Sequence, residues 1–431
     1  MVALHLPVVA VAVTKNILRK LSAASCVLLS SASNAETSPW IIDLGVMNYN
    51  EQNRNTGLEF IVNAERATEE GGALNLGLEI DVITGATPNG ASSTNVPQTF
   101  TMASGVGTYQ VAANELPADD THMDTRMAIK AALTDLVASD FRVDYNALLS
   151  MEFDYFAIAS GLSLATDFNR KNTTLITALN LEYDRVHPVG NTPIPLAQMQ
   201  PVGSFQPRGV SSLSKRIQEY SIGINQVLDR TSLAQIRLTY SDFRGYLNDG
   251  YKILSIIDST NLPTLGATQG YIFESRPSSR YLNSLYLAYK KSFNSGILDA
   301  SYRHFRDNWS VQSNTFELAY KFKLDDRFFI RPDIRFYHQS AAFFYHHSVA
   351  DNALPTEYAS SDSRLAEFDA LTLGIEFGKN LSFERKHSMT IEYYTQQGNS
   401  HPQDAIGLQQ NQDLFPTLKT LVLKYNYAIK W

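Results

Sequence analysis

The sequence predicts an all-β fold, a transmembrane antiparallel β-barrel of about sixteen strands. Three observations carry this. Segments with strict apolar/polar alternation recur from Trp40 to the end of the chain. The connections between them are short at every second position, and the long ones all fall in between. The final stretch, TLKTLVLKYNYAIKW (Thr417–Trp431), puts Leu421, Leu423, Tyr425, Tyr427, Ile429 and Trp431 on one parity and Lys424, Asn426 and Lys430 on the other. Successive side chains of a strand point to opposite faces, so that stretch has one apolar, aromatic face and one polar face. A barrel wall with lipid outside and a polar interior uses this pattern.

The chain opens with a segment that reads as a secretory signal. Lys15, Arg19 and Lys20 are the only formal charges in the first 35 residues, ahead of the apolar LSAASCVLL (residues 21–29). Ser33 and Ala35 supply the small residues a cleavage site uses, so removal before Glu36 is expected. The domain division is therefore 1–35 signal peptide and 36–431 barrel. The only cysteine, Cys26, lies in this leader, which leaves the rest of the chain without thiol or disulfide chemistry. Loss of the leader would move the formal charge from −7 to about −10. An acidic chain without a basic tract is not built for nucleic acid. No apolar run of about 18 residues follows the leader, so no membrane helix is expected. The mean hydropathy of −0.19 does not count against a barrel, whose apolar residues are hidden in alternation.

Candidate strands cover 40–50, 57–66, 73–84, 125–136, 141–151, 155–166, 172–184, 216–228, 232–243, 280–291, 296–306, 312–323, 328–339, 366–378, 386–396 and 418–430. Each is near the length a tilted strand needs to cross a bilayer. Connections after even-numbered strands are short: 67–72, 137–140, 167–171, 229–231, 292–295, 324–327 and 379–385. The long ones, 85–124, 185–215, 244–279, 340–365 and 397–417, all follow odd-numbered strands. Outer-membrane barrels have short periplasmic turns and long outer loops. The first short turn carries Gly71-Gly72, whose glycines can adopt the positive φ of a tight hairpin. The long loops are rich in Pro, Gly, Ser and Asn, as solvated loops are. A propeller would show a motif repeating every 40–50 residues or so, and none is seen.

Parity also sorts the charges. Leu74, Leu76, Leu78, Ile80 and Val82 oppose Glu79 and Asp81, and Phe316, Leu318, Tyr320 and Phe322 oppose Glu317, Lys321 and Lys323. The inward parity collects nine acids (Glu79, Asp81, Glu182, Asp184, Asp299, Glu317, Asp333, Glu376, Glu392) and eight bases (Arg237, Arg303, Lys321, Lys323, Arg331, Arg335, Lys424, Lys430). A strongly selective pore would carry a ring of one sign. Near balance predicts mainly cross-strand ion pairs, because a buried unpaired charge is costly. Arg237, Arg303, Glu317, Arg331, Asp333 and Arg335 are the lumen-facing candidates for contact with a solute.

Several segments resemble an uncharacterised family of Gram-negative outer-membrane barrel proteins, known only as a domain of unknown function. They are MNYNE (47–51), DVITGATPNGA (81–91), DTR (124–126), FDY (153–155), DFNRKNTT (167–174), GYLND (245–249), Arg276-Pro277 with Arg280, SYR (301–303) with Trp309, and YAS (358–360) with Asp362, Arg364 and Leu365. Gly250 stands where the family has proline. The resemblance implies a barrel in the outer membrane of a Gram-negative bacterium and no established activity. It further implies a link to thioredoxin-like and flavin-transfer proteins, and so periplasmic redox partners.

Other constellations point to simpler readings. Thr84–Gly90 lacks the lysine and following helix of a phosphate loop and reads as turn material. The long loop that it opens, residues 85–124, is a candidate to fold into the barrel and narrow it. Tyr345-His346-His347 with His338 is a histidine cluster without a spaced acidic partner, so no metal or other cofactor is assigned. His187, His304 and His387 are scattered and no catalytic set is evident, so an enzyme is not expected. The function expected is a channel or binding barrel for small solutes or ions, porin-like in architecture. The alternative is a non-conducting scaffold for a periplasmic or cell-surface redox assembly. Outer-membrane lipid, and the insertion machinery acting through the last strand, complete the expected partners.

Overall fold

The computed structural model describes residues 38–69, 71–101, 107–382 and 385–431. The expected signal segment 1–35, with Cys26, lies outside the described residues. In chain order the strands are β1 (Ile41–Glu51), β2 (Asn55–Ala67), β3 (Ala73–Pro88), β4 (Gln98–Thr101), β5 (Thr108–Val111), β6 (Ala118–Ala138) and β7 (Phe141–Met151). They continue as β8 (Tyr155–Phe168), β9 (Thr173–Val186), β10 (Leu213–Asp229), β11 (Ser232–Gly245), β12 (Ile253–Ile257), β13 (Thr268–Phe273) and β14 (Ser279–Phe293). The last are β15 (Gly296–Asp307), β16 (Gln312–Lys323), β17 (Phe328–Gln339), β18 (Val349–Ala350), β19 (Phe368–Ser382), β20 (Arg385–Gly398) and β21 (Leu418–Lys430).

Sixteen of them form a closed antiparallel barrel in the order β1-β2-β3-β6-β7-β8-β9-β10-β11-β14-β15-β16-β17-β19-β20-β21. Each corresponds to one of the sixteen alternating segments in the sequence. The ring closes between β1 and β21, from Ile41↔Lys430 to Glu51↔Thr420, with Trp40 and Trp431 exchanging backbone hydrogen bonds of 2.8 and 2.7 Å beyond it. Closure leaves no edge strand in the barrel wall, which a wall in lipid requires. Among the described residues no helix is long and apolar enough to cross a membrane.

The two faces follow parity. Val46, Phe60, Leu78, Leu181, Ile222, Leu238, Phe316, Phe336, Leu421 and Tyr425 are each more than a third exposed and face outward. The opposite parity runs round the inside in register, as in Glu59↔Asp81↔Arg126 and Gly223↔Arg237↔Tyr286↔Arg303↔Thr315.

Three wall strands run further at the long-loop end than alternation showed. β3 continues to Pro88, β6 begins at Ala118 and β10 begins at Leu213. Beyond the apolar band both faces of a hairpin meet water or loop, so no two-sided pattern marks the extension. The β3–β6 register shifts between Gly85 and Thr87. Gly85 has φ +127°, and a Cβ there would lie 2.5 Å from the Arg54 carbonyl oxygen, so this bulge needs glycine. Among the described residues of the first short turn only Gly71 uses positive φ, at +83°. Gly72 is required for space, since its Cβ would meet the Thr134 carbonyl at 2.0 Å.

The remaining strands come from the long loops. β13-β12-β18 form a three-stranded sheet and β4-β5 a hairpin. The orientation of β11 yields a direct test. Leu238→Arg should cost about 2–4 kcal/mol in urea-dependent folding into vesicles, and Thr239→Arg on the inner face well under half of that. Equal losses would contradict the face assignment.

Candidate functional site

Two features could act on a solute: the inner wall, and the layer of loops across its long-loop end. Much of the wall is paired across strands. Glu79 accepts from Arg126 at 3.3 Å and from Lys130. Asp184 pairs with Lys215 at 2.9 Å, Asp299 with Lys290 at 3.0 Å, and Glu392 with Lys424 at 2.6 Å. The basic partners Arg126, Lys130, Lys215 and Lys290 were missed in the sequence, although their parity marks them as inward. Which acid each one meets depends on register.

The six lumen candidates share this face but do not form one cluster. Arg331 pairs with Glu376 at 3.7 Å, which makes it part of the wall. Arg237 stands opposite Gly223 and Tyr286. Arg303 stands opposite Tyr286 and Thr315, its guanidinium 5.3 Å from the Tyr286 ring centroid. Glu317 and Arg335 are direct cross-strand neighbours, and Asp333 leans over Gly374. Among the described residues Arg237, Glu317, Asp333 and Arg335 have no ion pair within 4.0 Å.

The loop layer has apolar cores of its own. Ala91, Phe100, Tyr109 and Val111 pack with Ile253 and Phe273. Leu254, Ile256, Ile272, Val349 and Ala359 form a second cluster. The described part of the long loop after β3 thus packs on other loops.

A buried ion network joins these loops. Arg276 donates from Nη2 to Glu274 at 2.9 Å and to Asp362 at 2.8 Å. Arg364 donates to Asp249 at 3.0 Å and from Nε to Asp362 at 2.7 Å. Ser360 Oγ donates to Glu274 at 2.6 Å. Burial alone would raise the Asp362 carboxyl, but Arg364, Arg276 and Lys252 hold it well below the usual carboxylate range. Burial lowers the Lys252 ammonium despite Asp362 and Asp249. Charges this buried are tolerable only when paired and hydrogen-bonded.

The network is tied to the wall at four places around the ring. Lys252 donates from Nζ to the Pro88 carbonyl at the end of β3. Tyr246 packs on Tyr155, Ala157 and Val186 of β8 and β9. Trp309, whose Nε1 donates to the Ser279 carbonyl at 2.9 Å, joins β14 and β15 to Phe344 and Leu365. Phe415 and Tyr345 pack on Phe368, Ala370, Tyr337 and Tyr394 around β19. In ring order these attachments fall at the third, sixth and seventh, tenth and eleventh, and thirteenth to fifteenth strands. The Asp249–Arg364 bond connects the second of them to the last, on opposite sides of the barrel.

Three carboxylates, Asp124, Glu152 and Asp154, lie at the same end with oxygen atoms within 4.8 Å of one another. Burial, reinforced by Asp124, pushes Glu152 up to about 8. Asp154 accepts from the Tyr251 hydroxyl. The histidines do not gather: His338 pairs with Asp369 at 2.8 Å on the outer face, while His347 lies 4.0 Å from Asp404. Burial lowers both His346 and His347.

Two outcomes follow from this geometry. Arg276→Met strands Glu274 and Asp362 and should destabilise the loop layer by about 3–5 kcal/mol. Limited proteolysis should then cut the loops and spare the wall; unchanged loop protection would contradict the linkage. Glu152 has a folded value above its unfolded value of about 4.3, so its contribution is complete below that pH and is lost as pH rises through about 8. Glu152→Gln should therefore raise thermal stability relative to the parent at about pH 9 and leave it little changed at about pH 4.

Among solved structures the chain is similar to a mutant of the ferric enterobactin receptor PfeA from Pseudomonas aeruginosa in complex with enterobactin, at 9% identity over 92% of this chain and 61% of that chain, TM-score 0.44. It is similar to the siderophore receptor PirA from Acinetobacter baumannii, at 8% identity over 85% and 54%, TM-score 0.42. It is also similar to a bacterial polysaccharide outer membrane secretin, at 7% identity over 92% and 99%, TM-score 0.45. The chain spans little more than half the length of the first siderophore-receptor chains that it matches. No curated protein matches the sequence. The family model described as Protein of unknown function (DUF3570) matches residues 18–429, and the chain belongs to that family.

Proposed function

We propose that this protein is a capped binding barrel of the Gram-negative outer membrane, which takes up a small solute or ion in its lumen and passes it only when the loop layer moves. The observation that carries this reading is the Asp249–Arg364 link within a layer attached at four places around the mouth. A simple porin keeps its mouth open; a layer with its own apolar clusters and buried ion pairs resists diffusion through it. Short turns then face the periplasm and the capped end faces outward, as in outer-membrane barrels generally. Solute contact is assigned to Arg237, Arg303 and Arg335 with Glu317 and Asp333, since charges on a lumen wall tune selectivity. Arg331, engaged by Glu376, supports the wall. The reading involves no catalysis.

Single-channel recording in a planar bilayer tests it. The parent should be closed, with rare brief openings. Arg276→Met should conduct steadily, and Arg237→Gln with Arg303→Gln in that background should shift ion preference towards cations. Steady wide openings of the parent would overturn the cap. Silence of an inserted, loop-cleaved Arg276→Met barrel would replace the channel with the scaffold reading, in which the barrel holds periplasmic redox partners and conducts nothing.

A further inference from the structure

The outer surface of β9, β10 and β11 changes in a regular way towards the capped end. Ile222 and Leu238 stand opposite each other in the apolar band, each about half exposed. Tyr220 and Tyr240 form the next outward-facing pair, with ring centroids 6.5 Å apart. Four residues further along, about 13 Å of strand, Arg216 stands directly opposite Arg244 on one side and Tyr183 on the other. Arg185 is opposite Ser214, one diagonal step from Arg216. All three arginines are exposed.

Like charges directly opposite each other on a sheet repel. The partners on hand leave them under-compensated. Arg244 is held by Asp242 at 2.9 Å and lies 5.7 Å from the Tyr281 ring. Arg185 donates to Ser212 Oγ at 3.2 and 3.0 Å. Arg216 has no ion pair or hydrogen bond among the described residues. Three guanidinium groups and one carboxylate thus occupy a patch just beyond an aromatic belt. Tyrosine marks the boundary of the hydrocarbon, so the arginines stand at headgroup depth. Guanidinium binds phosphate through paired donors, and its flexible stem can lie along apolar surface while the head reaches for charge.

We propose that Arg185, Arg216 and Arg244 form a binding site for the phosphate groups of a phosphorylated lipid in the facing leaflet. The lipid's acyl chains would lie on Leu181, Ile222 and Leu238, and its phosphate would relieve the Arg216–Arg244 repulsion. The site rests on the outer-membrane reading given above, but it is independent of anything that passes through the lumen.

The test uses the full-length barrel and a variant carrying Arg185→Gln, Arg216→Gln and Arg244→Gln. Both are inserted into phosphatidylcholine vesicles, with or without a bisphosphorylated glycolipid, or with inorganic phosphate in the buffer. Glycolipid retained after detergent extraction is counted by native mass spectrometry, and the heat-modification midpoint is recorded. The parent should retain glycolipid roughly tenfold more than the variant. Its midpoint should rise with glycolipid and not with inorganic phosphate. Equal retention by parent and variant, or a rise that phosphate alone reproduces, would overturn the site. If the triple variant does not insert, Arg216→Gln alone should still lower retention, because that side chain makes no ion pair or hydrogen bond among the described residues; unchanged retention there would also overturn it. Failure of the membrane reading would look different: neither protein would become heat-modifiable in vesicles.

Discussion

Every backbone N–H and C=O of a wall placed in hydrocarbon must find a partner within the wall. This constraint governs the rest of the molecule. It demands a closed ring, met where β1 pairs with β21 along the length of both strands. Closure defines an inside and an outside, and a one-residue slip in any strand would exchange them. The alternation of Leu, Ile, Phe and Tyr with Asn, Gly, Glu and Lys is therefore the side-chain counterpart of a backbone requirement. Polar residues on the inner parity cost little because they meet one another. Glu79 has Arg126 and Lys130, and Asp184 has Lys215.

Beyond the barrel wall the demands change. Loops at the long-loop end need not pair their backbone as a wall does, but they must beat their own conformational entropy to be ordered. They do so as a small folded layer. Apolar residues from separate loops, such as Phe100, Ile253 and Phe273, share a core. Arg276, Asp362, Arg364, Glu274 and Asp249 then fix the loops in one arrangement. Ion pairs of this kind contribute less to net stability than to defining one geometry, because the desolvation of each charge offsets most of its attraction. In a layer assembled from separate loops, definition of geometry is the useful property.

The same logic explains why many of the segments that mark the family are scattered in sequence and gathered in space. Asp81–Ala91, Gly245–Asp249, Arg276 and Tyr358–Leu365 come from different loops and hairpin ends, yet they meet in and around the ion network. Ser361 Oγ donates to the Ile253 carbonyl at 2.6 Å beside Gly90, where a Cβ would lie 2.6 Å from that same oxygen. Asp167–Thr174 lies at the opposite end. There Asp167 accepts from Arg142 at 3.1 Å, and Asn169, Arg170 and Lys171 all take positive φ.

The sequence by itself determined the architecture: the number of wall strands, the end at which each turn lies, and the inward or outward direction of residues within the alternating segments. Each of these follows from local periodicity, and a strand's two faces are written in adjacent residues. It also placed Arg237, Arg303, Glu317, Arg331, Asp333 and Arg335 on one face. It did not say that Arg331 is engaged by Glu376, because that depends on the register between β17 and β19. The extra length of β3, β6 and β10, the sheet β13-β12-β18 and the ion network were decided by tertiary structure. Their residues face other loops, not a repeating pair of solvents, so nothing periodic announces them. Arg276 and Arg364 are only two charged loop residues in the chain's order; folding brings both to Asp362.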